Sequence, residues 1–277
     1  MTLDWFIEDA PRIVRRRATI STMSKEVLVV RCGLVPYDEA LVAQRWLRDA
    51  REDGSIPDVL LLLEHPPVYT RGRRSTAEEL PMAEEWYAMQ GIEIRETDRG
   101  GRVTYHGPGQ LVAYPIVDLR SYGDDVHEYV RRLEQVAISA LGEHGVEART
   151  IEGLTGVWVP QNGGRRADMS SNARHIGPSA PLGAAKIGSI GVHVSRGVTT
   201  HGLSVNVNND LQPFEWIVPC GIEGCLPSSL GRELGGEQDF ESFTGTVVRR
   251  YAAVYEREPC EATPAELGLD NARLGVA

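Results

Sequence analysis

Arg99-Gly100-Gly101-Arg102-Val103-Thr104-Tyr105-His106-Gly107-Pro108-Gly109-Gln110 packs four glycines and a proline around two arginines and a histidine. Glycine permits positive φ and lets backbone N–H groups converge on a ligand, so the stretch reads as a cradle. It also reads as a hairpin loop that needs tight turns, and composition alone leans to the hairpin. The next residues decide between fold classes. Leu111 to Val117 is a strand-like run, so the glycines form neither GxGxxG between a strand and a helix nor GxxxxGK[ST], and the usual nucleotide cradles are not supported.

Upstream, residues 83 to 90 read as helix and Ile92 to Arg95 as extended chain. Asp58 leads into the buried-looking strand Val59 to Leu63. Asp38 is placed to cap a helix to about Glu52, with Ala40, Leu41, Gln44, Leu47 and Arg48 in mixed helical periodicity. Val27 to Val30 is the first strand-like run. Downstream, Pro115 predicts that its strand is at an edge or bulged, because proline removes a ladder donor. The strongest helix runs from Asp124 or Asp125 to Leu141, since Val126, Tyr129, Val130, Leu133, Val136, Ala137 and Ala140 share a face and His144-Gly145 closes it. Strand-like pieces come next at Val146 to Thr150, Gly156 to Val159, Ile187 to Ser195 and Gly202 to Val207, and a last helix fits Phe240 to Glu256. Strands separated irregularly by few helices predict an α+β fold with a mixed sheet, not a doubly wound α/β order.

The expected organisation is one catalytic domain over 25–258. Residues 1–24 read as a flexible extension: Arg15-Arg16-Arg17 invites a transit-peptide reading that Asp4, Glu8 and Asp9 contradict, and Met23 offers an alternative translation start. Pro160 to Gly183, rich in Gly, Ser, Asn, Pro and Arg without apolar periodicity, predicts a mobile loop. Residues 259–277 form a tail with little to pack.

At 277 residues, 42% hydrophobic and 25% charged, the chain is long enough to bury a substantial core. Its net charge of −10 argues against general nucleic-acid binding, although arginines gather at Arg71, Arg73 and Arg74, at Arg99 and Arg102, and at Arg131 and Arg132. Such clusters suit an acidic protein partner or simply a solvated surface. The longest apolar run is too short for a bilayer, and a cytoplasmic address is the default. Cys32, Cys220, Cys225 and Cys260 lack zinc-ribbon spacing and read as free thiols.

The chemistry gathers on two side chains. Lys186 is one of two lysines set against a large excess of arginine, a position where a guanidinium, which cannot give up its proton, would not serve. Cys220, between Pro219 and Gly221, is in a turn-like setting that can present a thiol, though most free cysteines are small buried hydrophobes. Cys225 competes with it, and sequence chemistry separates the two weakly. His193 alternates with Val192 and Val194 and reads as a cross-strand or exposed side chain. His65, His106, His201 and Cys220 could in principle hold zinc, but no pair has ligand spacing on one element, and no metal is expected.

In combination, RGGRVTYHGPGQ, HGLSVNVNNDL and the Pro219-Cys220-Gly221-Ile222 element resemble the lipoyl(octanoyl) transferase family, with further matching blocks at Leu60 to Pro66, Tyr69-Thr70, Gly156 to Trp158 and Lys186 to Val194. The resemblance covers roughly residues 25 to 250. It implies a fold similar to the biotin and lipoate protein ligase catalytic domain. It also implies that Cys220 forms an acyl-thioester while Lys186 tunes that thiol, which settles the choice against Cys225. Arg99, Gly100, Gly101, Arg102, Val103, Thr104, Tyr105, His106, Ser189, Ile190, Gly191, Gly202, Leu203 and Ser204 would line the acyl site. The implied donor is octanoyl-acyl carrier protein. The implied acceptors are lipoyl domains of 2-oxoacid dehydrogenase E2 subunits and the glycine cleavage H protein, with no cofactor, no nucleic acid and no membrane, and with the enzyme a monomer. Two features depart from the family pattern: the long 160–183 segment before the lysine, and Ala185 where a basic residue often stands. The rivals are an ATP-dependent lipoate or biotin ligase, a thiol hydrolase pairing Cys220 with His106 or His201, and a silent acyl-binding scaffold.

Overall fold

The computed structural model of the chain describes residues 25–160, 183–222 and 224–269. The expected extension at 1–24, the alternative start at Met23, and the expected loop at 160–183 apart from its two ends lie outside the described residues. In chain order the elements are β1 (Glu26–Leu34), α1 (Tyr37–Glu52), β2 (Asp58–Glu64), β3 (Val68–Arg71), α2 (Glu84–Met89), β4 (Glu93–Glu96), β5 (Thr104–His106) and β6 (Gln110–Ile116). The second half comprises α3 (Val126–Glu143), β7 (Arg149–Ile151), β8 (Leu154–Pro160), β9 (Ala184–Ser195), β10 (Val198–Asn206), β11 (Leu226–Pro227), α4 (Leu230–Leu234), α5 (Phe240–Tyr255) and β12 (Glu258–Ala262).

Most strands join one sheet in the order β12-β1-β2-β6-β10-β9-β8-β7, with β11 paired to β9; β4-β3-β5 form a small second sheet. The main sheet is mixed, since β1 runs parallel to both β12 and β2 while β2, β6, β10, β9 and β8 alternate in direction. The apolar run in β2 shows why. Leu60 and Leu62 join one core cluster with α3 and α5, while Val59, Leu61 and Leu63 join another with Ala40, Ala43 and Leu47 of α1. Successive strand side chains point to opposite faces, so a strand covered by helices on both sides must be apolar throughout. This is the helix-flanked α+β arrangement expected.

Local chemistry sets the ends of the helices. Asp125 caps α3, accepting from the His127 and Glu128 N–H groups at 2.8 and 3.1 Å, and Gly145 at φ 86° ends the turn beyond its C-terminus. At α1 the cap position is Pro36 and not the expected Asp38, which is the second residue of the helix, where a negative charge still favours the helix N-terminus.

Two further expectations need correction. Pro115 is not on an edge strand: β6 lies between β2 and β10. The ladder to β10 is interrupted after Leu203–Ala113 and resumes in the same register at Val198–Asp118; within the gap His201 adopts φ 58° and Gly202 leaves room for the Pro115 ring. A Cβ on Gly202 would lie 2.6 Å from Pro115 Cδ and closer still to the Ala113 carbonyl oxygen. The second correction concerns residues 259–269, which are packed: β12 pairs with β1, Leu267 and Leu269 are buried beside α1, and the Leu267 carbonyl accepts from Trp46 Nε1 at 3.0 Å.

Candidate active site

A cleft of about 850 Å³ opens beside the middle of the main sheet. One wall is the inner end of β9 and β10, with Ser189, Ile190, Gly191, Gly202, Leu203 and Ser204; another is the glycine-rich segment, with Arg99, Gly100, Gly101, Arg102, Thr104 and His106. The first turns of α3 add Val126, His127 and Val130, and the lead into β8 adds Gly153, Leu154 and Thr155. Lys186 stands in it as well. Val103 and Tyr105 do not. They alternate out of the cleft and are buried with Tyr69, Tyr87 and Phe214 under the second sheet, as a period of two along this segment requires.

The glycine-rich segment is a wall because Arg99 holds it. Its Nη2 donates to Thr70 O and Thr70 Oγ1 at 2.6 and 2.7 Å, its Nη1 donates to Gly100 O at 3.1 Å, and the Gly100 N–H donates to Val192 O at 2.9 Å. Gly191 and Gly72 give the guanidinium space, since a Cβ on either would crowd it. Arg99 is thus a buried structural cation as well as a lining residue, and its five donors fit the fork of acceptors around it.

Lys186 enters from β9, 6% exposed. Its ammonium donates to Thr155 O at 3.0 Å and lies 5.3 Å from the centre of the Trp158 ring. β11 pairs alongside, Pro227 opposite Lys186, and a smaller pocket is shared by Lys186, Ser189, Pro219 and Cys225. The backbone of Cys220 lies in the 3-10 turn Pro219–Gly221; its side chain lies outside what the structure describes. That turn is anchored from both sides. The Val218 N–H donates to Glu79 O at 3.0 Å, and Gly221, at φ 62°, abuts the ion pair of Arg102 with the fully buried Glu79 at 2.5 Å. Ile222, next in sequence, lines the cleft. Residues far apart in the chain, Lys186 and the turn at 219–221, thereby meet at one end of the cavity.

The other end is rich in imidazoles. His201 Nε2 is 2.8 Å from Asp98 Oδ1, and His193 Nε2 lies 3.7 Å from Asp98 Oδ2. The His201 hydrogen bond holds the Asp98 carboxyl well below the usual carboxylate range, while burial pushes His201 down in spite of that carboxylate. His201 Nδ1 is buried with no hydrogen-bond partner among the described residues. His65 and His106 stack edge to face at 5.5 Å. Burial lowers both, His65 to about 4, so both are neutral rings. Among the described residues no three His, Cys, Asp or Glu side chains are grouped to hold a metal ion, and no helix is long and apolar enough to cross a membrane.

Sequence reasoning passed over Tyr37, Tyr114 and His127, which line the cleft, and Glu134, which lies just behind it. Glu134 left a readable signal. It falls on the apolar face of α3, four residues after Val130 and eight after Val126, and an acid in such a stripe requires a partner. Tyr37 and Tyr114 left none, because each becomes a lining residue only when β6 and the start of α1 are brought beside the glycine-rich segment.

Residues 36–252 match the family model described as the lipoyl protein ligase A/B catalytic domain. The chain is 41% identical over 237 residues to an octanoyltransferase of Koribacter versatilis (strain Ellin345), covering 84% of this chain and 85% of that protein. It is 40% identical over 239 residues to an octanoyltransferase of Chloroflexus aggregans (strain MD-66 / DSM 9485), covering 86% and 99%. Among solved structures, a bipartite lipoate protein ligase from Thermoplasma acidophilum superposes with TM-score 0.62 at 14% identity, covering 91% of this chain and 98% of that one. P. falciparum LipL1 in complex with lipoate gives 0.64 at 13%, covering 89% and 68%. The structural likeness carries the fold, the lipoate ligase architecture, and the sequence likeness carries the family.

Proposed function

The chain belongs to the octanoyltransferases, acyltransferases of the lipoyl(octanoyl) transferase type, and on that premise we propose that it moves an octanoyl group from octanoyl-acyl carrier protein to a lysine of a lipoyl domain by way of a thioester on Cys220. The observation that carries this reading is the identity near 40% with octanoyltransferases over more than four-fifths of the chain. The cleft, walled by the glycine-rich segment and β9–β10 and holding Lys186, supports it. The acceptors are lipoyl domains of 2-oxoacid dehydrogenase E2 subunits and the glycine cleavage H protein, and the enzyme works as a cytoplasmic monomer without cofactor.

In the first half-reaction the Cys220 thiolate attacks the donor's acyl carbonyl, a C–S bond forms, and the carrier's sulfur leaves and takes up a proton. One thioester replaces another, so no ATP is consumed. In the second, the acceptor amine attacks the Cys220 thioester, an amide forms, the sulfur leaves, and the amine gives up a proton. That amine starts with a pKa near 10.4, and holding it neutral at pH 7 costs about 4.6 kcal/mol, so a nearby proton acceptor accelerates the step. Lys186 has that role, and its ammonium favours the thiolate in the first step. An octanoyl tail gains about 0.8 kcal/mol for each methylene buried against Ile190, Leu203, Val126 and Val130.

The test is to incubate the protein with octanoyl-acyl carrier protein, digest it and locate the added octanoyl group by mass spectrometry. It is expected on Cys220. Cys220→Ala abolishes transfer, Cys225→Ala leaves it largely intact, and Lys186→Arg loses most of it while keeping the charge. Octanoate reaching the lipoyl domain undiminished in Cys220→Ala would overturn the scheme. A hydrolytic reading has one observation in its favour, His201, which lines the same cleft and is hydrogen-bonded to Asp98. It predicts free octanoate released at the same rate with and without acceptor.

A further inference from the structure

A single peptide unit, joining Thr155 to Gly156, is gripped at both ends by side chains of opposite charge. Its carbonyl oxygen accepts from Lys186 Nζ at 3.0 Å, and its N–H donates to Glu134 Oε1 at 2.9 Å. The ladders around it leave this amide to side chains: pairing of β8 with β9 begins at Val157 and shifts register before Trp158, and pairing with β7 shifts register between Arg149 and Ile151. Gly156 adopts φ 127°, and a Cβ there would lie 2.5 Å from Lys186 Cε and 2.8 Å from Gly188 O. Only glycine lets the lysine stem lie against this backbone.

Glu134 is 7% exposed on the cleft side of α3. Burial raises its pKa, while the Gly156 N–H, Lys186 and Arg131 act in the opposite direction. A half-compensated carboxylate on an otherwise apolar stripe is costly, and an uncharged glutamine would cap the same N–H without that cost. The charge therefore requires a reason beyond capping. In a trans peptide the N–H and C=O point to opposite sides, so a carboxylate on the N–H polarises the carbonyl toward the ammonium on the far edge.

We propose that Glu134 is a positioning residue for acyl transfer: acting through the Thr155–Gly156 peptide, its carboxylate fixes and polarises the carbonyl that orients the Lys186 amine. This rests on the reading of Lys186 as the proton carrier and adds the group that poises it. Among the described residues, the other groups near Lys186 include the Trp158 ring from β8 and Cys225 from the segment before β11, with His127 and Arg131 of α3 and Arg102 further off.

The chain makes the test direct, because Lys25 and Lys186 are its only lysines. Lysine labelled with 13C at the ε-carbon gives two resonances, and Lys25→Arg assigns them. In Glu134→Gln, which keeps the acceptor and removes the charge, the Lys186 resonance titrates at lower pH than in the parent while that of Lys25 does not move. In transfer assays kcat falls about tenfold with KM within about twofold, the signature of a displaced group that does not bind substrate. Glu134→Asp, which restores the charge, recovers part of kcat. Superimposable Lys186 titrations in parent and Glu134→Gln would reduce Glu134 to a cap and overturn the proposal. Should Glu134→Gln fold poorly, the parent alone decides: its Lys186 resonance carries a second inflection where Glu134 ionises, and a single inflection overturns the coupling. Full activity in Lys186→Arg would instead overturn the proton-carrier reading and leave this NMR result standing.

Discussion

His65 is fully buried, its Nδ1–H donating to Val35 O at 2.7 Å and its Nε2 accepting from Tyr114 OH at 2.8 Å, so both ring positions are committed to a neutral tautomer. Burial lowers it to about 4 from an ordinary value of 6.5. Between those values the unfolded chain binds a proton that the folded one does not. Stability therefore falls as pH drops from about 6.5 to about 4, by about 3 kcal/mol for this group. Urea unfolding across that range checks this, and His65→Gln makes the dependence shallower without abolishing it, since His106 is depressed in the same direction. At this scale the sequence was legible where chemistry is local. Lys186 stood out by scarcity, and the structure lines the cleft with it. His65 and His106 did not reveal themselves as a stacked neutral pair, because that depends on β2 and β5 converging. Val103 and Tyr105 were read with their glycine-rich neighbours although alternation alone sends them to the other face.

At the scale of elements, the amphipathic helices were legible to within a few residues, since α3 and α5 carry periodic apolar faces and α3 a clear cap. The surprise is β6. Proline suggested an edge or a bulge because a central strand loses a hydrogen bond there, but the loss stays local: the ladder to β10 lapses between Ala113 and Val117, where His201 is at φ 58°, and Thr199 Oγ1 accepts the Val117 N–H at 3.0 Å and donates to Pro115 O at 2.8 Å. No local pattern at 111–117 encodes a compensation supplied from residues 199–202. Gly202→Ala is expected to destabilise by about 1–3 kcal/mol in denaturant unfolding, because the new methyl overlaps the Ala113 carbonyl and the Pro115 ring, neither a flexible tip. Thr199→Val should also destabilise, by about 1–3 kcal/mol, through the two buried bonds it removes.

For the molecule as a whole, composition and the order of strands were enough for a mixed α+β sheet, yet residues 259–269 read as a tail. They lack a long apolar run and bury only what a neighbour exposes: Leu267 and Leu269 complete the face of α1, and β12 offers its backbone to β1. Leu267→Ala is expected to cost about 2–5 kcal/mol in thermal or denaturant unfolding, a core-sized loss that a frayed terminus would not show. The pairing of β12 with β1 has a further consequence during synthesis. Glu26 lies opposite Glu258, so a ribosome releases nearly the whole fold before the segment that seals the outer flank of β1. Until then β1 presents unpaired backbone groups on that side, an open template for strand addition that only the last strand closes.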